Sequence, residues 1–501
     1  MFNLEKYFQT YKDGIIGNNQ FYKTPFGEKK ICYADWTASG RFYRPIEDKI
    51  MNQFGPYIAN THTETNVTGK TMTEAYFKAK QIIKKHVNGN ENDVLLFEGT
   101  GMTGALCKLQ RILGLSVNER IKSTLEIDPK KRPVVFITHM EHHSNQTTWE
   151  ETIAEVVIVP PNSNGEVSPS LLESLLIKYQ DRALKIGSFT SCSNVTGILT
   201  PYHELAKMMH KYGGYCFVDF SASAPYIDMD MHPEDPSTSL DAIFFSPHKF
   251  LGGPSSSGVV IFSKDLYTNQ IPDRPGGGTV NWTNPWGEKS YIENIEERED
   301  GGTPGFIQAI RASLSIKLKE KMGTDTIKKR DNELVKIFFD RLQKNPQISF
   351  LEGDKKERLP IISFYIEGIH HNLIVKLLND VHGIQVRGGC SCAGTYGHYL
   401  LKINKSHSKT ITAEIDKGNI NVKPGWVRVS LHPTTSSHEV HFIVDSINDI
   451  IKNIDLYSSD YCYCSNSNEF IHKNERHSFI DEWFEINEQS SYDFISNNPP
   501  L

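Results

Sequence analysis

Residues 244–254 read Phe-Phe-Ser-Pro-His-Lys-Phe-Leu-Gly-Gly-Pro, an apolar run that ends in a Gly-Gly-Pro turn. Lys249 lies at the end of this run, where nonpolar surroundings disfavour the charged form of its amine. A neutral amine at the end of a buried strand can condense with an aldehyde to form a Schiff base. The alternative is an ordinary solvated loop lysine, and the upstream sequence bears on this choice.

Two upstream segments supply the groups that such a lysine would need. The short apolar segment Tyr215–Asp219 ends in a carboxylate, and residues 94–104 run from an apolar strand into a glycine-rich turn. Thr100 and Gly101 lie in this turn, just before a helix whose free backbone N–H groups can bind phosphate. A lysine amine and an aspartate facing a pyridine nitrogen are the expected protein partners of pyridoxal phosphate. The order of the three segments therefore predicts a pyridoxal phosphate site.

The central part of the chain alternates apolar strands with amphipathic helices. Strands are predicted at 134–138, 154–159, 184–189, 215–219, 242–245 and 259–262, with helices at 171–179 and 203–212. This alternation predicts an α/β fold in which a mostly parallel sheet is covered by helices on both faces. Ligands of such sheets bind beyond the carboxyl ends of the strands. The candidate residues at or just after a predicted strand are Thr100, His142, Asn194, Asp219 and Lys249.

From about residue 320 the pattern changes to α+β, which indicates a second, smaller domain. The predicted parts are an N-terminal segment 1–30, a large domain 31–310, a small domain 311–455 and a polar tail 456–501. Thr303 and Pro304 resemble a cap followed by a first-turn proline, so a long helix is predicted to begin there. The tail composition predicts partial disorder, with a short amphipathic helix at 477–486.

The bulk composition excludes several classes of protein. The chain has 501 residues, a net charge of −6 and no apolar run long enough to cross a bilayer, so neither a nucleic-acid partner nor a membrane is predicted. The first residues lack a signal-peptide core, which disfavours a secreted or mitochondrial address. Eight cysteines in a chain of this size fit a reducing compartment, so a cytoplasmic location is predicted.

Several motifs resemble the class V aminotransferase branch of the pyridoxal phosphate enzymes, above all the cysteine desulfurases and selenocysteine lyases. Residues 33–39 resemble the family's opening motif, 141–149 match Glu-His-His-x-Asn-x-x-x-Trp, and 387–393 match Arg-x-Gly-x-x-Cys-Ala. The resemblance extends from about residue 33 to about residue 451. It implies the fold-type I transferase architecture, in which a large cofactor-binding domain is followed by a smaller α+β domain.

The resemblance implies that His142 stacks on the cofactor ring, where an imidazole can also pass protons near neutral pH. A metal site built from His142 and His143 is the rival interpretation. Adjacent residues of an extended chain point to opposite sides, so no metal is predicted. His62, in a polar loop, is a candidate contact at the mouth of the site.

Other cofactor contacts are carried over motif by motif. Asn194 would bind near the phenolic oxygen of the ring, and Ala222 replaces the family's glutamine there, with Ser221 or Ser223 as a substitute. Phosphate contacts are assigned to Ser246, His248 and Thr279. Thr279 belongs to a loop, 276–279, that in the family reaches the phosphate of the neighbouring subunit, so the resemblance also implies a homodimer.

The substrate residues follow from two further motifs. Arg428 lies among apolar residues, where its guanidinium fork suits an α-carboxylate, and Asn194 is a second candidate contact. A structural ion pair is the alternative role for Arg428. Cys392 aligns with the family's catalytic cysteine, whose thiolate can take up sulfur as a persulfide. Cys390 is an additional thiol that could relay sulfur or form a disulfide with Cys392.

The leading interpretation is a pyridoxal phosphate enzyme that acts on an amino acid as a cysteine desulfurase-like lyase. Lys249, His142 and Cys392 are its predicted catalytic residues, alanine is the product, and a sulfur-acceptor protein is a possible partner. An aminotransferase, an epimerase or another lyase on the same fold is the second interpretation. A non-catalytic binding protein on an inherited scaffold is the third.

Overall fold

The computed structural model of the chain describes residues 3–61, 63–474 and 480–485. The first elements are α1 (Leu4–Lys12), β1 (Phe21–Thr24), β2 (Gly27–Lys30), β3 (Cys32–Tyr33), α2 (Arg44–Lys49) and α3 (Val67–His86). The central part contains β4 (Asp93–Glu98), α4 (Met102–Ile112), α5 (Glu119–Lys122), β5 (Val134–Thr138), α6 (His143–Glu150), β6 (Glu155–Val159), α7 (Pro169–Lys178), β7 (Lys185–Thr190), α8 (Tyr202–Lys211), β8 (Tyr215–Asp219), β9 (Ala242–Phe245) and β10 (Gly258–Ser263).

The remaining elements follow in chain order. They are β11 (Val280–Thr283), β12 (Lys289–Tyr291), α9 (Ile295–Arg298), α10 (Phe306–Met322), α11 (Thr324–Leu342), β13 (Ile348–Phe350), β14 (Ile361–Ile366), α12 (His371–His382), β15 (Ile384–Gln385), β16 (Arg387–Gly389), α13 (Gly394–Leu400), α14 (Lys405–Asp416), β17 (Trp426–Ser430), α15 (Ser437–Lys452), α16 (Ile454–Ser458), β18 (Tyr461–Cys464) and β19 (Glu469–His472). In the described part of the chain, no helix combines the length and the apolar character needed to cross a membrane.

The central sheet has seven strands in the order β4-β10-β9-β8-β7-β5-β6. Strands β5 to β9 pair in parallel, and only β10 runs antiparallel to its neighbours β4 and β9. Every residue of β5, β7 and β9 is buried, as expected when helices cover both faces of a sheet. The predicted α/β class and mostly parallel sheet are therefore confirmed.

The second sheet is antiparallel, with the order β13-β14-β17-β16, and its core includes α12 and α15. Helix α15 begins with a capping box, in which the Ser436 hydroxyl and the Glu439 carboxylate each accept from the other residue's backbone N–H. Cys32 and Ala34 also pack in this core, because β3 pairs in parallel with β15. The segment that the sequence places at the start of the large domain thus contacts the second sheet.

Two local predictions differ from the structure. Helix α10 begins at Phe306 rather than at the predicted first helical residue Pro304, because the Phe306 N–H donates to the Pro304 carbonyl at 2.8 Å and leaves 303–305 outside helical geometry. Residues 461–472 form an antiparallel hairpin, β18–β19, that no sequence pattern had indicated. Residues 480–485 of the predicted helix 477–486 are described, and within them Ile480–Phe484 form a short 3-10 helix, whereas 477–479 and 486 lie outside the described residues.

Candidate active site

A cavity of about 740 Å³ opens at the carboxyl edge of the central sheet, where the second sheet faces it. Residues that follow the central strands and residues of β16 and β17 line the same cavity, so both sheets contribute to one site. The predicted site residues found in its lining are Thr100, Gly101, His142, Asn194, Asp219, Ser246, His248, Lys249, Cys392 and Arg428. Thr279, which is among the described residues, does not line it.

Lys249 follows β9 in a single 3-10 turn, which turns its side chain into the cavity at the end of the strand. Burial lowers the pKa of Lys249 to about 8, and the negative charge of Asp219 opposes that lowering. The positive charge of Arg428 acts in the same direction as burial. A fraction of this amine is therefore neutral at physiological pH, which is the form that attacks an aldehyde.

Asp219 ends the buried strand β8, and one of its carboxylate oxygens accepts from the Ser221 backbone N–H at 2.8 Å. Burial raises the pKa of Asp219, so a cationic group placed against it would relieve an unfavourable buried charge. Two nearby side-chain oxygens of the described cavity lining, Ser221 Oγ and Asn194 Oδ1, are buried without a hydrogen-bond partner. Ala222 also lines the cavity.

The opposite end of the cavity is a cradle of backbone and hydroxyl groups. The Met102 N–H at the start of α4 donates to Ser246 Oγ at 2.9 Å, and His248 Nδ1 donates to the Thr100 carbonyl at 2.8 Å. A Cβ on Gly101 would lie 3.1 Å from His248 Cε1, so a larger residue there would require the His248 ring to shift. Helix N-termini with adjacent hydroxyl and imidazole donors suit a phosphate group.

His142 caps α6, and its Nδ1 accepts from the Ser144 backbone N–H at 3.1 Å. Burial lowers the pKa of His142 to about 3, and the charge of Lys249 adds to the effect. The ring is therefore neutral, with its remaining proton on Nε2. This leaves Nε2 as a hydrogen-bond donor toward the cavity.

His143 contacts the cysteine loop. Its backbone N–H donates to the Cys392 carbonyl at 2.7 Å, and its Nε2 accepts from the Gly394 N–H at 2.9 Å. No group of three or more His, Cys, Asp or Glu side chains is arranged to hold a metal among the residues that the structure describes. His143 thus joins the start of α6 to the cysteine loop.

Cys392 lies on a tight turn that starts at Cys390. The Ala393 N–H donates to the Cys390 carbonyl at 3.0 Å, and the two central residues have left-handed φ values, 51° for Ser391 and 56° for Cys392. These values are typical of a type I′ turn, which non-glycine residues adopt at a cost of about 1 kcal/mol each. Asn194 Nδ2 fixes the turn by donating to the Ser391 carbonyl at 2.7 Å.

Arg428 in β17 is buried and shares an aspartate with a second arginine. Arg428 Nη2 donates to Asp35 Oδ1 at 2.9 Å, and Arg387 Nε donates to Asp35 Oδ2 at 3.0 Å. Two guanidinium groups and one carboxylate leave a net positive charge at the cavity wall, and Arg428 Nε is buried without a partner in the described structure. The net positive charge and the unpartnered Nε of Arg428 would therefore suit one further carboxylate.

Sequence reasoning missed three residues that build the site: Asp35, Glu141 and His143. Both oxygens of the buried Glu141 accept hydrogen bonds, Oε1 from the Thr190 N–H at 2.9 Å and Oε2 from Asn145 Nδ2 at 2.7 Å. Glu141 thereby joins the end of β7 to α6, which carries His142. All three missed residues lie inside motifs that match the family, and this position was the sequence feature that could have identified them.

Thr279 is a predicted contact that stands apart from the cavity. Thr279 is buried in its own loop, where Oγ1 donates to the Gly276 carbonyl at 2.7 Å. His62 lies outside the described residues.

A phosphate cradle, an aspartate and a buried lysine at the carboxyl edge of this sheet define the architecture of fold-type I transferases. The chain belongs to the aminotransferase class V family, whose model matches residues 32–443. A probable cysteine desulfurase of Halalkalibacterium halodurans is 26% identical over 371 residues, covering 72% of this chain and 84% of the relative. A probable cysteine desulfurase of Halobacterium salinarum is 26% identical over 370 residues, covering 73% and 83%.

Solved structures show the same fold. A cysteine desulfurase of Thermococcus onnurineus superposes with a TM-score of 0.69 at 20% identity, covering 89% of this chain and 98% of that one. An Escherichia coli cysteine desulfurase superposes with a TM-score of 0.67 at 19% identity, covering 90% and 99%. The predicted family resemblance and fold-type I architecture are confirmed.

Proposed function

We propose that this chain binds pyridoxal phosphate and acts on L-cysteine as a desulfurase, with Cys392 as the sulfur acceptor. The supporting observation is that one cavity holds an amine at Lys249, a carboxylate at Asp219, a guanidinium at Arg428 and a thiol at Cys392. The named relatives and solved structures, which are cysteine desulfurases, point the same way.

The cavity residues fit the proposed cofactor. Asp219 would face the ring nitrogen, where its buried charge gains a cationic partner, and Lys249 would hold the aldehyde carbon. The Ser246–His248 cradle at the start of α4 suits the phosphate, and Ser221 Oγ and Asn194 Oδ1 are polar atoms left for the ring. When bound, pyridoxal phosphate supplies an aldehyde that captures amino groups and a ring that takes up electron density.

Around that cofactor, the side chains have separate tasks. Arg428 would orient the substrate carboxylate, because the cavity wall that contains Arg428 carries a net positive charge. Lys249 would move the α-proton, and His142, a neutral ring with its proton on Nε2, would stack on the cofactor and donate or relay a proton. Cys392 would take the sulfur of the substrate, so that L-cysteine and one enzyme thiol become alanine and one enzyme persulfide.

The test is product analysis with L-cysteine in the presence of pyridoxal phosphate. We expect alanine and enzyme-bound or released sulfur from the wild type, and neither from Cys392→Ala, which should keep the visible absorbance of the cofactor. Cys462→Ala, which changes an exposed thiol outside the cavity, is the matched control and should retain turnover. Full turnover by Cys392→Ala would remove the desulfurase assignment.

A second candidate, an aminotransferase, epimerase or other lyase without sulfur transfer, is favoured by one observation. Ala222 lines the cavity at the position of the family's glutamine, so one polar contact to the cofactor is replaced by a methyl group. Absorbance changes with a panel of amino acids would distinguish the two, because only this alternative predicts equal spectral turnover with substrates that lack sulfur.

We also propose a homodimer in which the loop 276–279 presents Thr279 to the neighbouring subunit's phosphate cradle. Its support is the resemblance of this loop, together with the position of Thr279 outside its own chain's cavity. Light scattering should give twice the chain mass of 56.9 kDa. A sulfur-acceptor protein and a reducing, cytoplasmic location are further proposals, the latter supported by eight free thiols.

A further inference from the structure

Three thiols line the cavity, although sulfur uptake requires only one. Cys192 is buried, and Cys390 and Cys392 lie together on one turn. Cys392 is exposed, whereas Cys390 is partly buried and packs against the core of the central sheet. We propose that Cys390 is a resolving thiol, which attacks the persulfide of Cys392, closes a Cys390–Cys392 disulfide and releases the sulfur as hydrosulfide. This inference rests on the proposed function.

The turn geometry brings the two cysteines within disulfide range. Ser391, the residue between them, has a left-handed φ of 51°, and the turn is closed by the hydrogen bond from the Ala393 N–H to the Cys390 carbonyl. In a helical turn of either hand, Cα atoms two residues apart are separated by about 5.5 Å. Disulfides join Cα atoms about 4.4–6.8 Å apart, so this backbone spacing is compatible with the bond.

Contacts from outside the turn hold it in this shape. Asn194 Nδ2 donates to the Ser391 carbonyl at 2.7 Å, and Trp426 Nε1 donates to Ser391 Oγ at 3.2 Å. The His143 N–H donates to the Cys392 carbonyl at 2.7 Å. Because contacts from Asn194, Trp426 and His143 fix the central residues of the turn, we expect the two thiols to stay close to each other while the substrate is converted to product.

The proposed step balances in atoms and electrons. The thiolate of Cys390 forms a bond to Sγ of Cys392, the sulfur–sulfur bond of the persulfide breaks, and its electron pair leaves with the outer sulfur as hydrosulfide. The enzyme is left with a disulfide, which a dithiol reductant must reduce before the next cycle. A disulfide across a single intervening residue is strained, and strain makes such a bond easier to reduce.

A single-turnover experiment tests the step. The enzyme with pyridoxal phosphate is mixed with one equivalent of L-cysteine per site without added reductant, then alkylated and analysed by mass spectrometry, while alanine and hydrosulfide are measured. In the wild type we expect alanine, hydrosulfide at about one equivalent per alanine, and a Cys390–Cys392 peptide lacking two hydrogens. In Cys390→Ser we expect a peptide that has gained one sulfur atom on Cys392, with little hydrosulfide.

The possible outcomes distinguish failure of the resolving step from failure of the desulfurase activity on which that step depends. Alanine together with a stable persulfide on wild-type Cys392 would overturn the role of Cys390 and leave the desulfurase activity intact. No alanine from the wild type would overturn the proposed function, and the resolving step with it. Cys462→Ser, a change in the exposed hairpin thiol, should behave as the wild type, and loss of the disulfide there would also contradict the proposal.

Discussion

The protonation of Lys249 offers a direct test of how the cavity works. Its pKa of about 8, against the ordinary 10.5, follows from burial, and charges of both signs adjust it, with Asp219 and Arg428 the largest among them. At pH 7 roughly one such amine in ten is neutral, against roughly three in ten thousand for an ordinary lysine, a difference of about 300-fold. The reactivity of the apo-enzyme amine should show that difference without any cofactor.

The perturbation is Asp219→Asn, which removes a negative charge and keeps the shape of the side chain. Since Asp219 raises the pKa of Lys249, the variant should move the midpoint to lower pH, and Arg428→Met should move it to higher pH. Trace acetic anhydride is applied from about pH 6 to about pH 11, and mass spectrometry follows the labelling of each lysine. Exposed lysines of the same chain are the internal control.

Two results would refute the reasoning. Labelling of Lys249 that rises in parallel with the exposed lysines would mean that burial does not free the amine. Shifts of the same sign in Asp219→Asn and Arg428→Met would mean that one of the two charges does not act on Lys249 in the way that its position in the cavity implies.

Two further variants test the substrate wall and the scaffold. Arg428→Met should lower kcat/KM for L-cysteine by about 10- to 100-fold through a lost charge-assisted contact. Cysteamine, which lacks the carboxylate, should be unaffected, and an equal loss with both amines would contradict carboxylate binding. Glu141→Gln should lower the free energy of unfolding by about 1–3 kcal/mol, because an amide NH₂ would face the donor of Asn145 or Thr190. Urea denaturation measures this, and the exposed Glu150→Gln is its control, so equal stability of the two variants would contradict the role of Glu141.

Buried strands of the central sheet were the most predictable elements. Val134–Thr138, Tyr215–Asp219 and Ala242–Phe245 are predicted with the bounds that the structure has, because continuous apolar runs of this length are typical of strands buried on both faces. Residues 384–389 form two short strands with different partners, β15 paired with β3 and β16 paired with β17. The pairing partner of a short strand depends on segments that are distant in the sequence, so the local sequence pattern does not predict it.

The hairpin β18–β19, at the cavity entrance, is a second element that the local sequence pattern did not predict. Its turn residue Asn468 lines the cavity, and the Asn468 carbonyl accepts from Asn372 Nδ2 at 2.6 Å. The polar composition of 456–501 predicted a partly disordered tail, since low hydrophobicity disfavours an independent core. The hairpin is ordered by packing on α12, with His370 near the rings of Tyr463 and Phe470.

The order of residue types along the chain determined the chemistry. A lysine after an apolar strand, an aspartate at the end of another and a glycine turn before a helix predict the cofactor, because strand ends meet at one edge of a parallel sheet. Only the tertiary structure decided that Asp35 pairs with both Arg387 and Arg428, 352 and 393 residues away. Ion pairs depend on distance in space, and that distance exists only after both sheets have packed together.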